Sequence, residues 1–263
     1  MLVKPTYPTV TFWPHGRNRA HLAVQTLWHP RVLTRVATMP TALITGASRG
    51  LGASIARLLA PTHDLLLGGR PSTELDNIAL QLDGATTWPV ELTDADELAA
   101  ATEAISELDV LVHNAGVISW GSIEDTPADE WRRVLEVNLI AAAELTRLLL
   151  PALRAARGHV VFINSGAGRH ANPGWGVYAA SKFGLRALAD VVRAEEPSLR
   201  VTSIFPGRID TDMQQELVAM EGGEYDATQF LLPDTVASAV VAAIHTPADA
   251  HPHEVVLKPT GRR

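Results

Sequence analysis

Tyr178 and Lys182 stand one helical turn apart in the stretch VVFINSGAGRHANPGWGVYAASK, which runs from Val160 to Lys182. On a helix this spacing places a phenol and an ammonium on one face. The chemistry on offer is proton exchange. A free phenol titrates near pH ~10, and a cation a few ångströms away favours the phenolate and draws that value toward neutrality. Ser165 brings a hydroxyl able to hydrogen-bond the same substrate oxygen. It follows an apolar run, residues 160–163, that reads as a strand, and the Gly-rich loop beyond it leads to a helix opening near Tyr178. Tyr and Lys at this spacing also occur on solvated helix edges, so the pair gains meaning only from what the other elements bring to it.

The first such element is a phosphate cradle. Residues 41–45 form a short buried-strand pattern, Gly46-Ala-Ser-Arg-Gly50-Leu-Gly52 follows at once, and residues 53–60 read as a helix. Glycines let the backbone approach a pyrophosphate, and the free N–H groups at the positive helix end receive the anion. Residues 63–70 form a second apolar strand ending in Gly69-Arg70, without the acid that would bind a ribose 2′-hydroxyl. The absence of that acid, together with Arg70 and Arg49, favours NADP(H) over NAD(H). A strand at 109–113 then delivers Asn114-Ala-Gly116.

Strand and helix patterns alternate along the whole chain: a helix at 73–82, a strand at 85–90, a helix at 94–107 capped by Thr93 or Asp94, and a helix at 131–155. Beyond Lys182, a helix to about Glu195 stops before Pro197, and a strand covers 199–205. Short helices at 212–220 and from Pro233 or Asp234 to Ile244 precede a last strand at 254–258. This order predicts an α/β fold with a parallel sheet covered on both faces, and ligands in such sheets lie at the carboxyl ends of the strands. Thr45, Asn114 and Ser165 all fall there.

Composition excludes several classes. The 263 residues contain no cysteine, which removes disulfides, thiol nucleophiles and zinc-thiolate sites. Ten histidines lack metal-ligand spacing. The net charge is −7, and the basic side chains are unevenly placed. Residues 1–38 hold Lys4, Arg17, Arg19, Arg31 and Arg35 and no acid, leaving 17 basic against 29 acidic side chains beyond them. An acidic body argues against nucleic acid or an anionic membrane as partner. The apolar stretch 139–153 is broken by Glu144 and Arg147, which makes it a buried amphipathic helix rather than a membrane span. Residues 1–38 carry no sustained period and no signal-peptide core, so they are expected to form a disordered or loosely docked extension to a catalytic domain at 39–263.

Taken together, Thr45-Gly-x-x-x-Gly-x-Gly52, Asn114-Ala-Gly116, Asn138, Ser165, Tyr178-x-x-x-Lys182 and Pro206-Gly207 with Thr211 resemble the short-chain dehydrogenase/reductase family, over residues 41 to about 258. The resemblance implies a single-domain Rossmann-type doubly wound sheet of about seven parallel strands in the order 3-2-1-4-5-6-7. It implies hydride transfer between a nicotinamide and a small-molecule carbonyl or alcohol in a cytoplasmic homodimer or homotetramer, with the helix from Tyr178 as an interface. Tyr178 would be the proton donor and Ser165 would orient the substrate oxygen. Lys182 would hold the nicotinamide ribose and lower the tyrosine pKa, and Asn138 would anchor a proton-relaying water.

Further cofactor contacts implied are Gly46, Ser48, Arg49, Gly50, Leu51 and Gly52 at the phosphates, Arg70, Glu91 and Leu92 at the adenosine end, and Asn114, Ala115 and Gly116 at the centre. Pro206, Gly207, Ile209 and Thr211 would meet the carboxamide end. Two positions depart from the family: His113 replaces an asparagine, and Glu91 stands for the acid that receives the adenine amino group. The segment after Thr211 would be the substrate lid. Met213, Leu217, Met220, Tyr225 and Phe230, with Trp120 and Trp175, point to an apolar or aromatic-lined site, although Met213, Leu217 and Met220 fit ordinary helix packing equally well. The loop at 166–177, with Arg169, His170 and Trp175, should shape the pocket. A regulatory protein that binds the cofactor without catalysis is the rival class, and the complete Ser165, Tyr178, Lys182 and Asn138 set speaks against it.

Overall fold

Apolar runs bounded by turn residues become the strands of one sheet, and the amphipathic segments between them become its covering helices. The computed structural model describes residues 39–261. The extension expected at 1–38 lies outside the described residues. In chain order the elements are β1 (Thr41–Thr45), α1 (Gly50–Leu59), β2 (Asp64–Gly69), α2 (Thr73–Leu80), β3 (Ala85–Pro89), α3 (Ala95–Thr102), β4 (Val110–His113), α4 (Ala128–Leu135), α5 (Ala141–Ala156), β5 (His159–Ile163), α6 (Gly176–Glu195), β6 (Arg200–Pro206), α7 (Asp212–Met220), α8 (Pro233–Ile244) and β7 (Glu254–Leu257).

The seven strands are hydrogen-bonded in the order β3-β2-β1-β4-β5-β6-β7, as expected, and each neighbouring pair is parallel. The pleat of β1 divides the core: Ala42 and Ile44 point to one face and Leu43 to the other. On the first face they pack with Ile55 and Leu59 of α1, Leu75 and Ile78 of α2, and Val236 and Val240 of α8. On the second face Leu43 and Leu111 pack with Leu98 of α3, Leu145 and Leu149 of α5, and Leu185 and Ala189 of α6. With both faces covered, the open ground lies at the carboxyl ends of the strands, where the order reverses between β1 and β4.

Two elements differ from expectation. The helix expected at 94–107 ends at Thr102, whose hydroxyl donates to Ala99 O at 2.8 Å while Ile105 N bonds Thr102 O in a turn. The chain has to reverse here to enter β4, and that outweighs the helix propensity of the following residues. The single helix expected at 131–155 is a rod made of α4 and α5 joined through a π-helical turn, Glu136–Ile140, with Asn138 at its middle. The turn closes on Ala141 N bonding Glu136 O, five positions back. One extra residue is thereby wound in, a distortion that recurs at functional sites.

Candidate active site

The loop between β1 and α1 is shaped by its glycines. Gly46 and Gly50 adopt φ of +64° and +55°, the left-handed region that other residues enter only with strain. Gly52 is required for space: a Cβ there would lie 2.2 Å from Gly46 O and 2.6 Å from Asn114 Nδ2. Asn114 ties the loop to the end of β4, donating from Nδ2 to Thr45 O at 2.9 Å and Gly46 O at 3.0 Å. Thr45 answers from β1, its hydroxyl accepting Asn114 N and Ala115 N, each at 3.0 Å, and donating to Val112 O at 3.2 Å. Helix α1 starts without a side-chain cap, and its first intrahelical bond comes from Ala53 N to Arg49 O. The N–H groups of Gly50, Leu51 and Gly52 therefore point out of the helix end beside Ser48, a ready anion receptor. These residues fit a dinucleotide pyrophosphate.

Where the adenosine end is expected, Arg70 is exposed at the close of β2, and Arg49 is exposed on the loop, where Nη1 meets Asp212 Oδ2 at 3.2 Å. Glu91 follows β3, but its Oε1 is already engaged by Thr93 N at 3.2 Å and Thr93 Oγ1 at 2.9 Å. Leu92 lines a cavity of about 10 Å³ with Thr45, His113, Ala115 and Asn138, about the size of one water. His113, the departure from the family pattern, is buried. Its Nε2 meets Thr146 Oγ1 at 2.8 Å, its ring stacks on Phe162 with centroids 4.8 Å apart, and burial pushes its pKa down to about 3. It is a neutral structural imidazole that holds β4 against α5.

The expected catalytic residues converge from three elements. Strand β5 ends at Ile163 and hands the chain through Asn164 to Ser165, which caps a single 3₁₀ turn by accepting Ala167 N at 3.1 Å. Asn164 is a tether that the sequence reading missed: Oδ1 accepts Ser165 N at 2.8 Å, and Nδ2 donates to Lys182 O at 3.1 Å. It joins the strand end that carries Ser165 to the helix that carries Lys182. From α6, the Tyr178 phenol faces the Ser165 side chain, which favours its ionised form, and Lys182 Nζ donates to Ile163 O at 3.0 Å. Lys182 Nζ lies 5.8 Å from the Tyr178 ring centre. Asn138 is buried in the π turn. Its Oδ1 accepts Val117 N at 2.8 Å, and its Nδ2 donates to Val117 O at 2.9 Å and Ser181 Oγ at 3.0 Å. Gly116 packs between them: a Cβ there would lie 3.2 Å from Asn138 Oδ1 and 3.8 Å from Lys182 Nζ.

One electrostatic expectation is corrected. Burial raises the Tyr178 pKa above that of a free phenol, and the neighbouring Ser165 hydroxyl draws it only part of the way back. Burial likewise brings Lys182 down to about 8. In the protein alone, the loss of water around the charged form is the leading influence on each group.

The loop after β6 folds back over the strand ends. Gly207 N bonds Leu257 O at 2.7 Å, Ile209 bridges Leu231, and Thr211 caps α7 by accepting Gln214 N. The segment beyond α7 is pinned to that loop: Arg208 pairs with Glu221 and lies 5.4 Å from the Phe230 ring centre, and the Tyr225 hydroxyl donates to Asp210. Leu217 and Phe230 are buried and belong to packing, whereas Met213, Met220 and Trp120 are exposed. Trp175 stands 5.5 Å from Tyr178, centroid to centroid, and Gly121 bridges it from the Trp120 loop. Arg169 does not shape the pocket as expected. It lies 3.5 Å from Glu254 of β7 and over Phe205, a contact that Arg186 repeats from α6 at 2.9 Å from the same carboxylate. His170 is exposed. Among the described residues no cluster of ligands could hold a metal, and no helix is long and apolar enough to cross a membrane.

Comparison with known proteins agrees with this geometry. The family described as short chain dehydrogenase matches residues 40–222. The chain is 34% identical over 234 residues to a glycine betaine reductase, ATRR, of Emericella nidulans, covering 83% of this chain but only 18% of that larger protein. It is 36% identical over 201 residues to a trans-4-hydroxycyclohexanecarboxylate dehydrogenase of Sinomonas cyclohexanicum, covering 70% of this chain and 77% of the relative. An alcohol dehydrogenase from the archaeon Thermococcus sibiricus, solved in complex with 5-hydroxy-NADP, superposes with a TM-score of 0.78 at 28% identity, covering 86% of this chain and 99% of that one. The chain belongs to the short-chain dehydrogenase/reductase family of oxidoreductases.

Proposed function

We propose that this chain is an NADP(H)-dependent oxidoreductase that interconverts a small ketone or aldehyde and its alcohol, with apolar or aromatic substituents on the reacting carbon. The observation that carries the reading is the buried Tyr178 phenol at the strand ends with the Ser165 side chain beside it and the buried Lys182 one helical turn behind, its Nζ 5.8 Å from the phenol ring centre. The bound nicotinamide supplies the hydride in reduction and takes it up in oxidation. Tyr178 donates its proton to the oxygen that becomes the alcohol, and the Ser165 hydroxyl orients and polarises that oxygen, a contribution typically of about 3 kcal/mol per donor. Lys182, whose pKa burial brings down to about 8, can give up a proton near neutral pH and returns one to the phenolate left behind. Asn138 holds Val117 and Ser181 so that Lys182 and Gly116 keep their places.

The NADP(H) preference rests on Arg70 and Arg49 with no acid at the end of β2, and the neighbour solved with 5-hydroxy-NADP supports it. Trp120, Trp175 and Met213 support an apolar or aromatic substituent on the reacting carbon, and the name of the Sinomonas relative, a ring alcohol that also bears a carboxylate, supports the ring. The same reading makes the protein a cytoplasmic homodimer or homotetramer, with exposed Phe183 and Val191 of α6 in the interface. NADPH oxidation followed over a panel of cyclohexanones, aryl ketones, aldehydes and acyl thioesters tests it. Turnover of the ring ketones with NADPH, and slower turnover with NADH, is expected; NADPH binding without turnover of any carbonyl in the panel contradicts it.

A further inference from the structure

Arg49 on the phosphate loop takes its partner from far along the chain. Its Nη1 donates to Asp212 Oδ2 at 3.2 Å, across 163 positions of sequence. Asp212 is the first residue of α7, and Thr211, the cap of that helix, sits against the loop: a Cβ on Gly50 would lie 3.4 Å from Thr211 Cγ2. The ion pair thus ties the phosphate loop to the helix that begins the lid. Both side chains are well exposed, at 68% and 62%, so the tie is weak and reversible. Asp212 does not depend on it, because a carboxylate in the first turn of a helix is stabilised by the helix end itself.

The proposed cofactor preference gives Arg49 a second claimant, the 2′-phosphate of NADP(H), and the role inferred for Asp212 rests on that preference. A phosphomonoester carries up to two charges and three strong acceptor oxygens against the single charge of Asp212. NAD(H) has only a hydroxyl at that position and leaves Arg49 with Asp212. We propose that Asp212 is a specificity-determining residue: it holds Arg49 in the absence of a 2′-phosphate and yields it when NADP(H) binds, so that phosphate recognition is set against the tether of α7. The wild-type preference for NADP(H) is correspondingly smaller than Arg49 alone would give, and α7 is freer in the NADP⁺ complex than in the NAD⁺ complex.

Titration of NADPH and NADH by cofactor fluorescence on the full chain, with Asp212→Asn, Arg49→Gln and the double variant, tests this. Asp212→Asn should tighten NADPH about threefold, the scale of an exposed ion pair, and leave NADH unchanged. Arg49→Gln should weaken NADPH by about tenfold or more, the scale of a charged hydrogen bond, and adding Asp212→Asn to it should change nothing further. Amide exchange of residues 212–220 should be faster with NADP⁺ than with NAD⁺. If Asp212→Asn tightens NADPH equally without Arg49, plain charge repulsion explains it and the proposal falls. If Asp212→Asn has no effect while Arg49→Gln weakens NADPH, the proposal falls and the cofactor reading stands. An unchanged NADPH to NADH ratio in Arg49→Gln overturns the proposal and leaves Arg70 to carry the cofactor preference, whereas equal affinity of the parent protein for NADPH and NADH overturns the preference itself.

Discussion

Replacing Gly52 by alanine should weaken cofactor binding by more than it weakens the fold. The added methyl would lie 2.2 Å from Gly46 O and 2.6 Å from Asn114 Nδ2, where ordinary contact begins at 3.4 Å. The loop and α1 must part by about 1 Å to relieve this, since neither obstruction is the free end of a long side chain. Overpacking of that kind costs about 1–3 kcal/mol, and the parting strains the 3.0 Å bond from Asn114 Nδ2 to Gly46 O as well. The larger effect falls on the ligand. If two backbone N–H groups lose charged hydrogen bonds of about 1.5–3 kcal/mol each, NADPH affinity drops a hundredfold or more. Gly223→Ala is the control, because its nearest neighbour would be the movable Val218 Cγ1 at 3.4 Å. Fluorescence titration with NADPH, alongside a thermal melt, reads both quantities. A Gly52→Ala protein that binds NADPH within threefold of the parent would refute the cradle.

Asn138→Ala removes the partner of Val117 N, Val117 O and Ser181 Oγ in a buried place, so it should cost about 2–4 kcal/mol in chemical denaturation and lower kcat more than it raises KM; a change below about 1 kcal/mol would show that the π turn holds itself. His113 has its folded pKa depressed to about 3, so the unfolded chain takes up a proton between pH ~6.5 and 3 that the folded chain refuses, and stability falls as pH drops through that window. His113→Asn should flatten the acid limb of stability against pH by up to about 1.4 kcal/mol per pH unit, leaving the part due to the similarly depressed His159; an unchanged slope would mean that His113 can be protonated where it lies.

Much of the scaffold was legible because its signals are local. Apolar runs of five or six residues bounded by glycine, proline or aspartate mark strands, and Thr211 before Asp212 marks the start of α7 where it is found. The glycines and the spacing of Tyr178 and Lys182 survive translation into structure for the same reason, as each constrains backbone or helix face directly. The features without a sequence signal depend on distant partners. Nothing in Glu-Val-Asn-Leu-Ile distinguishes a π turn from the α-helix around it; the distortion becomes visible only once Asn138 is seen bonded to Val117 and Ser181. Arg169 looks like a pocket residue because it sits in the loop after Ser165, yet Glu254 lies at the far end of the chain and beside it in space. The Tyr178 pKa cannot be judged from spacing alone, because spacing reports the neighbouring cation and is silent about burial. Asp212 carries no signal at all until Arg49 is seen beside it.

Replacing Tyr178 by phenylalanine puts the proposed chemistry to its plainest test. The substitution removes one hydroxyl from a buried ring and leaves the phosphate loop, Arg49, Arg70 and Lys182 in place. NADPH affinity should stay within a few-fold of the parent by fluorescence titration, while carbonyl reduction falls by about a hundredfold or more, the scale of a positioned general acid. Retention of a substantial part of the parent turnover, at unchanged NADPH affinity, would mean that Tyr178 is not the proton donor.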